Sequence, residues 1–194
     1  FFPVYILQND TQYSLGGSNN AEDANESGTG FDFRTSLGWV FWDRMIVGLA
    51  YNYYKASTSK GATSVYEAVS TTSSKSEYGP IIGYKTGGWR FVLSYFINAE
   101  RSLDAKATDQ SGTVVSDVTE NRTKGTGYQL TIGYSFAISS NFEIGPSLVY
   151  RSVTYGRGSR TNRLDNTDSF DDSDLQTKAI DVGLSPMISL IAKF

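Results

Sequence analysis

Hydrophobic residues in this chain recur with a period of two, and that pattern limits the folds open to it. In 30–43 the odd positions are Phe31, Phe33, Thr35, Leu37, Trp39 and Phe41, and the even ones are Asp32, Arg34, Ser36, Gly38, Val40 and Trp42. Successive side chains of a strand point to opposite faces, so such a segment is a strand with one greasy face and one polar face. The alternation returns in Met45–Tyr53, Glu77–Lys85, Trp89–Glu100, Tyr128–Ile138, Phe142–Arg151 and Ile180–Phe194, and less cleanly in Tyr5–Leu15. The sequence therefore predicts an all-β, antiparallel chain with eight strands over residues 1–194, read as one domain.

The connections alternate as well. Asp43-Arg44, Thr86-Gly87-Gly88 and Ser139-Ser140-Asn141 read as tight turns, while about 16–29, 57–75, 101–125 and 156–177 read as long polar loops rich in Ser, Thr, Asn, Asp and Gly. Short turns at one end and long loops at the other predict an up-and-down barrel.

Which face points inward follows from volume. Eight strands with about five large apolar residues each would load about forty bulky side chains into a lumen only just wide enough for ordinary side chains. The opposite assignment packs: Gly38, Gly48, Gly79, Gly83, Gly127, Gly133, Gly145 and Gly183 share the second face with charged residues and leave room for them. Apolar outside and polar inside is stable in lipid, where a closed barrel also satisfies its backbone. The mean hydropathy of −0.30 does not register this, because half of each strand is polar. Aromatics pool at the strand ends. Trp39, Phe41, Trp42, Trp89, Phe136, Phe142 and Phe194 lie near the short turns, and Tyr13, Tyr51, Tyr53, Tyr95, Tyr128 and Tyr150 lie nearer the long loops, as two interfacial belts would. Pro80, Pro146 and Pro186 cannot donate to a ladder, so bulges or missing bonds are expected there.

The pattern resembles the small eight-stranded outer-membrane barrels of the outer membrane protein A and X families. The final Ile188-Ser189-Leu190-Ile191-Ala192-Lys193-Phe194 resembles the terminal signal, closed by Phe194, that the barrel-assembly machinery reads during biogenesis. The resemblance implies a multi-pass monomer in the outer membrane of a Gram-negative bacterium. Its termini would be periplasmic, its long loops outside, and lipid and lipopolysaccharide would surround it. The chain would be the mature form after export.

Inward charges are the most informative chemistry. Asp10, Asp32, Arg34, Glu77, Glu100, Arg151 and Asp181 are expected toward the loop side, and Lys85, Arg90, Glu143 and Lys193 toward the short turns. Desolvated charges need partners, so Arg151 is expected to pair with Asp181, and Arg34 with Asp10. Five acids against two arginines in the upper group would make any leak cation-selective. A plugged lumen is the leading expectation, with a structural or surface-contact role for the loops; a narrow gated pore is the alternative. Passage of hydrophobic molecules through an apolar upper lumen is a lesser one.

The chain has no Cys and no His, which excludes disulfides, thiolate metal sites and Ser–His–Asp catalysis. Barrel enzymes in such families use a His. With only carboxylates such as Asp32, Glu77, Glu100 and Asp181 to offer, the chain is expected to lack catalytic activity, cofactors and metals. A net charge of −3 argues against nucleic acid. In the last long loop Arg157, Arg160 and Arg163 are candidates for lipopolysaccharide phosphates. The acidic run that includes Asp165 and Asp168 lacks the spacing of a calcium loop.

Overall fold

The structure, a computed structural model, describes residues 3–10, 26–60, 68–109, 111–164 and 179–193. The strands are β1 (Pro3–Asp10), β2 (Glu26–Phe41), β3 (Met45–Lys60), β4 (Ala68–Thr86), β5 (Trp89–Thr108), β6 (Val114–Tyr134), β7 (Phe136–Ala137), β8 (Phe142–Tyr155), β9 (Arg157–Asn162) and β10 (Ala179–Lys193). They form one antiparallel sheet in the order β7-β8-β10-β1-β2-β3-β4-β5-β6-β9. β6 also pairs with β8 from Thr126↔Thr154 to Gly133↔Ser147, so the sheet curls back on itself.

The two faces are sorted as the period of two predicts. Along β5, Arg90, Val92, Ser94 and Phe96 are buried while Trp89, Phe91, Leu93, Tyr95 and Ile97 are exposed. Leu37, Leu49, Leu184 and Ile188 are 44%, 63%, 64% and 62% exposed. Glu77, Arg90 and Glu143 are 2%, 3% and 6% exposed. The concave side holds the charges and the convex side holds the leucines, the reverse of a water-soluble core.

The turns have clear local causes. Arg44 N–H donates to the Phe41 carbonyl at 3.0 Å across Trp42 and Asp43, both with positive φ. Two consecutive positive φ values make the hairpin turn whose twist matches the flanking strands. Strand ladders continue well into the stretches read from sequence as loops: β4 and β5 pair out to Ala68↔Thr108, and β5 and β6 out to Thr108↔Val114. Residues 11–25, 61–67 and 165–178 of the remaining connections lie outside the described residues.

One irregularity decides which residues face inward. The β4–β5 register shifts between Tyr78 and Ile81, around Pro80, and the β5–β6 register shifts between Phe96 and Ala99. Lys124 on β6 takes φ 52° nearby. Beyond these bulges the inward positions of β5 change from even to odd, so Ala99 is fully buried and Glu100 is exposed. The β8–β10 register runs unbroken through Pro146 and Pro186, so no register shift accompanies them there.

Gly79 belongs to this bulge. A Cβ there would fall on the Tyr95 carbonyl oxygen and lie 2.9 Å from Phe96 Cα. Gly79→Ala is expected to destabilise by about 1–3 kcal/mol through overpacking against backbone. Urea unfolding in detergent micelles checks it, with Gly183→Ala, where nothing lies within 4 Å, as the neutral comparison.

Candidate functional site in the charged interior

Alternation delivers charged side chains from non-adjacent strands to one space. Arg151 on β8 reaches Glu77 on β4, its Nε donating to Oε2 at 2.9 Å and its Nη2 to Oε1. Its Nη1 donates to Asp181 on β10 at 3.0 Å. Lys75 on β4 meets the same Asp181 oxygen at 2.5 Å. Asn52 on β3 donates to Glu77 at 3.2 Å and to Gln129 on β6 at 3.0 Å. The Tyr155 hydroxyl accepts from Arg151 at 3.1 Å and donates to Glu77 at 3.4 Å. β4 is not a sheet neighbour of β8 or β10, so these bonds cross the interior. Each ion is desolvated and each has an opposite charge within bonding distance, as buried ions require.

A cavity of about 170 Å³ adjoins this crossing, lined by Asp32, Arg34, Tyr54, Lys75, Glu77, Arg151 and Asp181 among others. Beside the crossing, Ile46, Ala50, Ile81, Val92, Phe96, Ala99, Val153 and Tyr155 form a buried apolar cluster. A second group of charges sits toward the short turns. Glu143 accepts from Lys85 at 2.7 and 2.9 Å, from Ser135 at 2.7 Å, and pairs with Lys193. Arg90 is buried, and its Nη1 finds no hydrogen-bond partner among the described residues.

The expected Arg151–Asp181 pair forms. The expected Arg34–Asp10 pair falls on an Asp10 side chain outside the described residues. Arg34 binds Asp32, two residues back on its own strand, through Nε at 3.1 Å and Nη2 at 2.6 Å. In the β1–β2 ladder Arg34 stands opposite Gln8, and Asp10 stands opposite Asp32. The inward placing of Glu100 is corrected. The bulge turns it outward, where it accepts from Asn98 at 3.3 Å. Lys75 takes a place in the interior instead. Among the described residues around the cavity, three acids (Asp32, Glu77, Asp181) face three bases (Arg34, Lys75, Arg151), so the acid-rich tally narrows.

Lys75, Asn52, Gln129 and Tyr155 were not among the expected site residues. Their signal was present: Lys75 shares the parity of Glu77, and Tyr155 that of Arg151. Lys75 was hidden by placing a loop over 57–75.

Of the loop candidates, Arg160 is exposed on β9. Arg163 donates to Asp104 at 3.2 Å and to the Thr119 hydroxyl at 2.7 Å, and lies 3.6 Å from Asp117. Its charge is thus engaged by the β5–β6 hairpin. Arg157 is in β9, but its side chain, like Asp165, Asp168 and Phe194, is outside the described residues. Among the described residues no cluster of three or more metal-ligating acids occurs.

At the β5–β6 tip the exposed Asp109 carboxylate accepts from Ser111 Oγ at 2.6 Å, Ser111 N at 2.9 Å and Thr113 N at 2.9 Å. The Ser111 hydroxyl above all, then the Thr113 amide, hold its pKa below the ordinary carboxylate value. A depressed folded pKa supplies order above the unfolded value and loses it as pH falls through the folded one. Hydrogen-exchange protection of the Ser111 and Thr113 amides is therefore expected to persist from neutral pH through the ordinary carboxylate range and to fall only below it. Asp109→Asn should weaken that protection at neutral pH.

No known protein family matches the chain. No curated protein matches it either. Among solved structures it is similar to the outer membrane protease OmpT from Escherichia coli. The TM-score is 0.50 at 14% identity, over 86% of this chain and 64% of that one, so the chain spans under two thirds of OmpT's length. It is also similar to the ferric yersiniabactin uptake receptor FyuA from Yersinia pestis, at 12% identity, covering 96% of this chain and 28% of that one; with a TM-score of 0.35, that likeness is too slight to carry an argument. At 14% identity the OmpT likeness concerns the fold alone: a strongly curled antiparallel sheet of the outer-membrane barrel kind. It corrects one expectation. OmpT is an enzyme, so this fold houses catalysis, and the expectation of a chain without catalytic activity is withdrawn. The absence of His excludes particular chemistries and not the class.

Proposed function

We propose that the chain is an eight-stranded transmembrane β-barrel of the outer membrane, with its interior closed by a layer of ion pairs and its long strands carrying a contact surface beyond the bilayer. One observation carries this reading: ions from β4, β8 and β10 meet across the interior while Leu37, Leu49, Leu93, Leu184 and Ile188 face outward. Pairing supports the strand count, because β8, β10, β1, β2, β3, β4, β5 and β6 each have a neighbour on both sides once β6–β8 is included. Each of β2 to β6, β8 and β10 has at least 14 residues, more than the ~9–11 that a tilted strand needs to cross. Exposed Trp39, Trp89, Phe136 and Phe142 at one end and Tyr51, Tyr78, Tyr95 and Tyr128 toward the other match interfacial belts.

A narrow pore is the second reading, favoured by the cavity of about 170 Å³ beside the Arg151–Glu77 crossing. Planar-bilayer recording separates the two. The closed reading predicts no steady conductance from the unaltered protein and new openings in Arg151→Ala. Stable openings in the unaltered protein would replace the plug with a pore.

A further inference from the structure

We propose that a small void in the interior binds a single chloride ion between Arg34 and Arg90. A void of about 20 Å³ lies there, lined by both arginines and by Ser94, Gln129 and Thr131 among others. That is room for one water-sized species. The two arginines are 7% and 3% exposed, and each keeps an Nη1 that is buried without a hydrogen-bond partner among the described residues. The reason is geometric for Arg34. Asp32 occupies its Nε–Nη2 edge and leaves Nη1 on the side away from that carboxylate.

Charge separates a chloride from a water molecule. Arg34 is neutralised by Asp32. Arg90 has no carboxylate within ion-pair distance among the described residues, because the acid on its side, Glu143, is taken by Lys85, Lys193 and Ser135. A water in the void would accept two N–H bonds but leave the buried Arg90 charge without an ion-pair partner among the described residues. A monovalent anion does both. The Thr131 hydroxyl already accepts from Gln129 at 3.4 Å, so its proton is free to turn toward an anion. A cation is repelled, and a phosphate or carboxylate exceeds the volume. The site is independent of whatever the outer strands contact.

Crystals of the detergent-solubilised protein grown in sodium bromide test this directly. The expected result is one anomalous bromide peak between the Arg34 and Arg90 side chains. A thermal midpoint in micelles that rises with chloride or bromide, but not with gluconate at equal ionic strength, is expected alongside it. Arg90→Gln, close to Arg90 in length but uncharged, should remove the peak and weaken the halide dependence about tenfold or more. A void filled by density without anomalous signal, or a bromide only at Lys85 or Lys193, would overturn the proposal. If Arg90→Gln fails to fold, the bromide data on the unaltered protein still decide.

Discussion

Replacing Arg151 with methionine is expected to cost about 3–5 kcal/mol of folding stability, read from urea unfolding in detergent micelles. The cost comes from what stays behind. Glu77 is 2% exposed and would keep only Asn52 and Tyr155, two neutral donors, against its full charge. Asp181 would retain Lys75. Coupling makes the prediction specific. Glu77→Gln alone should also destabilise, since it leaves the Arg151 guanidinium only one acid, Asp181, which Lys75 shares, whereas the double change removes both ions and should recover most of the loss. Additive costs in the double variant would mean that the two side chains do not depend on each other, and the plug as described would be wrong. Lys75→Met should cost less, because Asp181 then still holds Arg151 at 3.0 Å.

Placing a charge on the outer face is the second large effect. Leu93 is 45% exposed and stands in register between Ile82 on β4 and Leu130 on β6, which are 52% and 39% exposed. In a water-soluble sheet Leu93→Arg would be nearly neutral or favourable. In a bilayer it is expected to cost about 2–4 kcal/mol, the range for Arg near the midplane of a barrel wall. Val115→Arg, at the far end of the β5–β6 hairpin and 41% exposed, is the matched comparison and should stay within about 0.5 kcal/mol. Equal, small effects at both positions in lipid vesicles would remove the reason for placing hydrocarbon around this face.

The alternation of large apolar and polar residues made the strands, the tight turns and the inward identity of Asp32, Arg34, Glu77, Arg90, Glu143, Arg151 and Asp181 readable without coordinates, because parity is a local property. Failures came where parity is reset or where ladder pairing outruns hydrophobicity. Glu100 was misplaced because the shifts near Pro80 and between Phe96 and Ala99 invert the face, and a bulge leaves no strong mark on one strand alone. The one mark present was the pair Phe96 and Ala99, both inward at a spacing of three, opposite Gly127 and Gly125. Lys75 was missed because β4 extends through polar Ser and Thr residues whose pairing comes from β3 and β5 rather than from their own pattern. The Asp32 partner of Arg34 was not named because sequence shows which residues share a face and not which rotamer closes first. Asp32, two positions away on the same face, was the nearer candidate.

Nitroxide scanning of β5 tests the central orientation most directly, and the absence of cysteine makes single labelling straightforward. One cysteine at a time would be placed at positions 90 to 100 and the protein folded into vesicles. Collision with oxygen, which concentrates in hydrocarbon, would be compared with collision with a water-soluble nickel chelate. Oxygen should dominate at 91, 93, 95 and 97, and both reagents should be excluded at 92, 94 and 96. Position 99 should be protected and position 100 accessible to the nickel chelate, reporting the bulge. Nickel access at 91 and 93 equal to that at 100, or protection of 91, 93 and 95 from both reagents, would contradict the account.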